Sequence, residues 1–175
     1  MAAPVALWQQ TAEAFDQRLS AVTDAQWTAA TPCTEWTVRQ LVDHAVGVQT
    51  MLGGVLGGDA KPDADWASTR AALAAALADP AVLDGEIDHP ALGKMSRQQV
   101  LGIAITDLLL HTWDLARATG GDENLPPAVV EVAYHGLQQL PPAMMRAPGR
   151  FDAEVEVAAD ADLQTRMLAF SGRRP

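Results

Sequence analysis

The stretch between Ser96 and Gly120 constrains the chain most, because it carries a complete helix start, a long periodic interior and a complete stop. Ser96-Arg-Gln-Gln99 fits a capping box, in which the serine hydroxyl serves the third helical amide and the glutamine reaches back. Gly120-Gly121 closes the segment, since glycine takes the left-handed conformation that ends a helix without steric cost. Other helical signals flank it. Residues 4–22 carry Ala6, Leu7, Ala14, Phe15, Leu19 and Val22 at helical spacing, with Pro4 in the first turn, where its missing N–H costs nothing. Residues 23–36 read as a connection. Thr37-Val-Arg-Gln40 is a second capping box, followed by the stripe Val38, Leu41, Val42, Ala45, Val48, Leu52 and Val55. Gly53-Gly54 and Gly57-Gly58 weaken and then stop that helix. A further helix starts after Asp63, runs to about Ala78, and ends at Asp79-Pro80.

Four substantial helices on short connections argue a helical bundle, so the predicted class is all-α, in one domain over residues 1–175. Short C-terminal elements pack onto it: a helix from Pro126-Pro127 to about Leu140, and a last turn or two over 162–170. Two places permit a minor strand. Val82, Leu83 and Ile87 fit a short strand or an ordered loop. Phe151, Ala153, Val155 and Val157 alternate with acidic residues at period two, which predicts a short strand.

Charge narrows the function. Twelve Lys and Arg against 22 Asp and Glu leave a net charge of −10, which repels phosphate backbones and anionic membrane surfaces. No basic leader precedes the first apolar run, and no run approaches the ~20 apolar residues of a membrane span. The expected location is the cytoplasm. One cysteine, Cys33, excludes an internal disulfide framework and a thiolate-rich structural zinc site.

Three polar residues sit on apolar faces. Val100, Ala104, Asp107 and His111 are spaced 4, 3 and 4 apart, flanked by Ile103 and Leu108, which turns Asp107 and His111 inward on one helix face. A carboxylate at i and an imidazole at i+4 can reach one ion. His44, three residues after Leu41 and four before Val48, shares the stripe of its own helix. Buried there, its ring nitrogens need partners inside the protein. Two histidines and a carboxylate make a three-ligand site with an open position, suited to zinc, nickel or iron(II). The competing reading is a buried hydrogen-bonded network without an ion. Asp114, three residues after His111, either orients that ring or pairs with Arg117. His89 and His135 are weak ligand candidates. Cys33 reads as a structural thiol, and the five tryptophans as core anchors.

The segment Thr31-Pro-Cys-Thr-Glu-Trp-Thr-Val-Arg-Gln-Leu-Val-Asp-His44 resembles the "TPC..W.V..L..H" signature of actinobacterial DinB-like proteins. Asp107-Leu-Leu-Leu-His-Thr-Trp-Asp-Leu-Ala-Arg-Ala-Thr-Gly120 resembles their "D...H.WDLA.ATG" block, and Leu168-Ala-Phe-Ser-Gly-Arg-Arg-Pro175 resembles their C-terminus. This family is related to the metal-binding domain of mycothiol-dependent maleylpyruvate isomerase and to bacillithiol transferases. The resemblance implies a DinB-like four-helix bundle with a divalent metal at His44, Asp107 and His111. The isomerase has a glutamate where this chain has Asp107, and a second domain for which 175 residues leave no room, so maleylpyruvate isomerisation is not expected. What is expected is a metal-dependent transferase that joins a low-molecular-weight thiol, mycothiol, to small electrophiles. Two alternatives stand beside it: a hydrolase or isomerase using bound water, and a non-enzymatic bundle that binds a small ligand or partner. Broad helical surfaces permit a homodimer.

Overall fold

Capping chemistry sets where the helices begin. The computed structural model describes residues 4–33, 35–57, 61, 63–89, 93–147 and 150–175. They form two compact units, one up to Glu123 and one from Asn124. The first holds α1 (Pro4–Ser20), α2 (Val38–Val55), α3 (Trp66–Ala76), an antiparallel pair β1 (Glu86–His89) and β2 (Gly93–Ser96), and α4 (Arg97–Thr119). The second holds α5 (Pro127–Gln138), α6 (Pro142–Met145) and α7 (Leu163–Phe170), with α5 packed on α7.

Both capping boxes form. Thr37 Oγ1 accepts from the Gln40 amide, and the Thr37 amide donates to Gln40 Oε1 at 2.9 Å. Ser96 does the same with Gln99, at 3.2 and 2.8 Å, and is also the last residue of β2, so the hairpin feeds directly into α4. Asp65 caps α3 by accepting from the Ser68 amide at 2.8 Å. Gly120 closes α4 with φ +68°. The sequence pattern overruns three helix ends by two residues each, at Val22, Ala78 and Leu140. There the amides bond to carbonyls three residues back, so the last turn tightens out of the α-helix. The stop signal at Gly58 lies outside the described residues.

The strand signal at 151–157 is corrected: this segment carries no regular secondary structure and joins no ladder. Phe151, Val155 and Val157 are half-buried while their acidic neighbours are exposed, so the alternation records one-sided burial; the Val155 amide donates to Ala169 O instead of to a strand. The strand pair lies at 86–89 and 93–96, with Ile87 opposite Met95.

Helices α1 and α2 both pack on α4, and α3 packs on α2. Leu7, Trp8 and Phe15 of α1, Leu41, Ala45 and Leu52 of α2, Leu73 of α3, and Leu101, Leu108 and Trp113 of α4 fill the core. Each fully buried leucine contributes about 1.5–3 kcal/mol. One polar bridge crosses this core. Trp8 Nε1–H donates to Gln49 Oε1 at 3.0 Å, and Gln49 Nε2–H donates to Ala104 O at 3.0 Å, tying α1, α2 and α4 together with no group left over. Ile103, read as flanking the inward face, is instead 40% exposed, because it lies off the Val100–Ala104–His111 line. No helix of the described residues is long and apolar enough to cross a membrane.

Candidate metal centre

Helix α4 presents Asp107 and His111 one turn apart, and α2 supplies His44. A tight loop before α2 adds two more side chains. Ala30 bridges Thr37 across this loop, the Trp36 amide donates to Cys33 O at 2.8 Å, and the Cys33 amide donates to Thr31 Oγ1 at 3.2 Å. These bonds fix Cys33 and Trp36 at the start of α2.

Asp107 Oδ1 lies 3.5 Å from His44 Nε2 and 3.6 Å from His111 Nε2. One donor atom from each residue falls within 4.8 Å of the other two. These gaps exceed a good hydrogen bond, about 2.7–3.2 Å for N–H···O, so the carboxylate is near both rings without closing fully on either. Asp107 Oδ2 is shielded from water, and among the described residues it has no hydrogen-bond partner. A buried carboxylate oxygen left unsatisfied is costly, and a bound cation would relieve that cost. Two imidazoles and a carboxylate with a spare oxygen fit a divalent ion of the zinc, nickel or iron type.

The other side of His111 is settled by Asp114. His111 Nδ1–H donates to Asp114 Oδ2 at 3.0 Å, which turns Nε2 toward Asp107. Asp114 is fully buried, and Cys33 Sγ also donates to its Oδ2, at 3.4 Å. Cys33 Sγ stands 4.0 Å from His111 Nδ1. Trp36 packs on both imidazoles, with ring centroids 4.6 Å from His44 and 5.8 Å from His111, and the two imidazoles meet edge to face at 5.0 Å.

Electrostatics follow from this crowding. Burial alone would raise the Asp107 carboxyl, but His111 and His44 outweigh it and hold the group well below the usual carboxylate range. Burial alone would lower the His111 imidazole, but Asp107, Asp114 and Cys33 outweigh it and hold the ring well above the usual histidine range. Without an ion, a proton on His111 balances the carboxylates.

The structure thus brings His44, Asp107 and His111 together and puts Asp114 behind His111. His135 is exposed on α5, and the His89 side chain lies outside the described part of the structure. Trp8, Trp66 and Trp113 are core anchors as expected. Trp27 and Trp36 are half-buried; Trp27 carries the Arg39 guanidinium 4.5 Å over its ring. Sequence reasoning missed the contacts of Cys33 and Trp36 with the cluster. Their three-residue spacing just ahead of a helix start was the available signal.

The mycothiol maleylpyruvate isomerase N-terminal domain family matches residues 8–65. Two uncharacterised proteins, from the CDC 1551 and H37Rv strains of Mycobacterium tuberculosis, are each 32% identical to this chain over 178 residues, covering 97% of this chain and 97% of the relative. No solved structure matches the chain significantly.

Proposed function

Because the chain belongs to the mycothiol maleylpyruvate isomerase N-terminal domain family, which is metal-binding and mycothiol-related, we propose that it is a metal-dependent thiol transferase. Its ligands are His44, Asp107 and His111, its ion is zinc, and its thiol is mycothiol, which it joins to small electrophiles. One observation carries this reading: Nε2 of His44, Oδ1 of Asp107 and Nε2 of His111 converge, while Asp107 Oδ2 is buried without a partner.

When bound, the ion supplies Lewis acidity, under which a coordinated thiol loses its proton. The protein's own residues do the rest. Asp107 supplies one negative charge between two neutral ring nitrogens. Asp114 holds the His111 proton on Nδ1, so that Nε2 keeps its lone pair for the site. Trp36, lying on both rings, fixes their tilt and keeps water from that side. The thiol proton leaves to solvent, so no side chain is required as a general base. The sulfur lone pair forms the new C–S bond, and the bond to the leaving group, or one bond of an epoxide, breaks with its electron pair.

The test is direct. Zinc-loaded protein is mixed with mycothiol and a panel of epoxides and alkyl halides, and conjugates are counted by mass spectrometry. Metal-dependent conjugation above the uncatalysed rate is the expected result. No conjugate across the panel, while a known transferase gives one, would overturn the reading. Turnover without thiol would replace it with hydrolysis.

A further inference from the structure

The His111 ring has two nitrogens, and the reading above uses only one of them. Nε2 faces His44 and Asp107. Nδ1 faces a different pair, Cys33 and Asp114, whose contacts with His111 and with each other are 4.0, 3.0 and 3.4 Å. Ligands of a four-coordinate zinc-type ion, bound at ~2.0–2.3 Å, stand ~3.4–3.6 Å apart, so this triangle has the right size with little movement. Chemistry separates the two sets. The His44 set has one carboxylate and no sulfur. The Cys33 set has a sulfur ligand and, once the thiol proton is released to solvent, two negative charges. Those two charges fully neutralise a divalent ion, which matters where Asp114 is completely buried and His111 nearly so. Cys33 is only half-buried, which leaves the site open to an entering ion on that side.

We propose that Cys33, His111 and Asp114 form a second cation site, for soft, thiophilic divalent ions of the cadmium class, which is mutually exclusive with the site at His44, Asp107 and His111. Exclusion follows from the shared ring. A neutral imidazole has one lone pair, on Nδ1 or on Nε2, so one ion at most is held through it. An ion on Nδ1 moves the ring proton to Nε2, where it faces Asp107. A soft ion at Cys33 therefore blocks a harder one at His44.

Cadmium titration of the chelator-stripped full chain tests this, read by equilibrium dialysis and by the ultraviolet charge-transfer band of a cadmium–thiolate bond. Cys33 is the only cysteine, so the band reports it alone. The wild type is expected to bind one cadmium per chain with the band present. His44→Ala is expected to keep both the ion and the band. Cys33→Ser is expected to lose the band and bind cadmium at least tenfold more weakly. Bound cadmium without a band in the wild type, or no band in a His44→Ala protein with intact far-ultraviolet circular dichroism, would overturn the site. Two ions per chain would overturn the exclusion. A band that grows with protein concentration at fixed saturation would place the ion between chains, and would also overturn the site. If Cys33→Ser binds no cadmium at all while the wild type shows the band, the His44 set has failed and the Cys33 set stands.

Discussion

At the scale of single residues, the cluster should behave differently with and without an ion. His44 is half-exposed, and its replacement opens no large cavity. With Cys33→Ser closing the second set, His44→Ala should therefore lose stoichiometric zinc but keep its helicity, checked by elemental mass spectrometry and circular dichroism. Unchanged zinc content in the folded double variant would sink His44 as a ligand. The pH response of metal-free protein follows from two shifts of opposite sign. The lowered Asp107 contributes stability above the unfolded carboxylate value of ~3.9, and this is lost as pH falls through its folded value. The raised His111 contributes stability below the unfolded histidine value of ~6.5, and this is lost as pH rises through its folded value. Thermal melts of stripped protein should peak between about pH 4 and 6.5 and then decline toward pH 8. Zinc-loaded protein should show the opposite trend above pH 6.5, because the ion must displace a proton from His111 and binds more tightly as pH rises.

At the scale of elements, α4 holds half the site, and its start is a local decision. Ser96 satisfies an amide that would otherwise be left over at the end of β2 and the first turn of α4. Ser96→Ala should cost about 1 kcal/mol in urea unfolding. Asp107 lies several turns further on, so metal content should not change. A loss of metal in this variant would mean that the hairpin, and not the packed interior of α4, positions the ligands. That interior is held by burial: residues 108–116 are buried without a break, including His111 and Asp114. The loop before α2 is an element in its own right. Its internal bonds present Cys33 and Trp36 to the cluster, although Cys33 is 81 residues from Asp114.

At the scale of the molecule, the bundle up to Glu123 should not depend on an ion. Its helices pack through Leu41, Leu108 and their neighbours, and the ligands only decorate faces that already meet. Chelated protein should keep its far-ultraviolet spectrum, unlike a zinc finger. Restoring zinc at a hundred times its dissociation constant should add about 2.7 kcal/mol to the unfolding free energy. Unfolding on chelation would make the ion structural. Much of this was written locally in the chain. Capping boxes at Thr37 and Ser96, the glycine stop at Gly120 and the 3.6-residue period determined the helices, because each depends on residues within a turn or two of one another. The facing of Asp107 and His111 was legible for the same reason. The segment at 151–157 was misread because one-sided burial leaves the same alternation whether or not a partner strand exists. Tertiary structure alone decided that His44, 63 residues before Asp107, closes to 3.5 Å, and that Cys33 and Trp36 join the same cluster. Hydrophobic packing is non-directional: a stripe says that a face is buried, but only the docking of α2 and the preceding loop on α4 says against what.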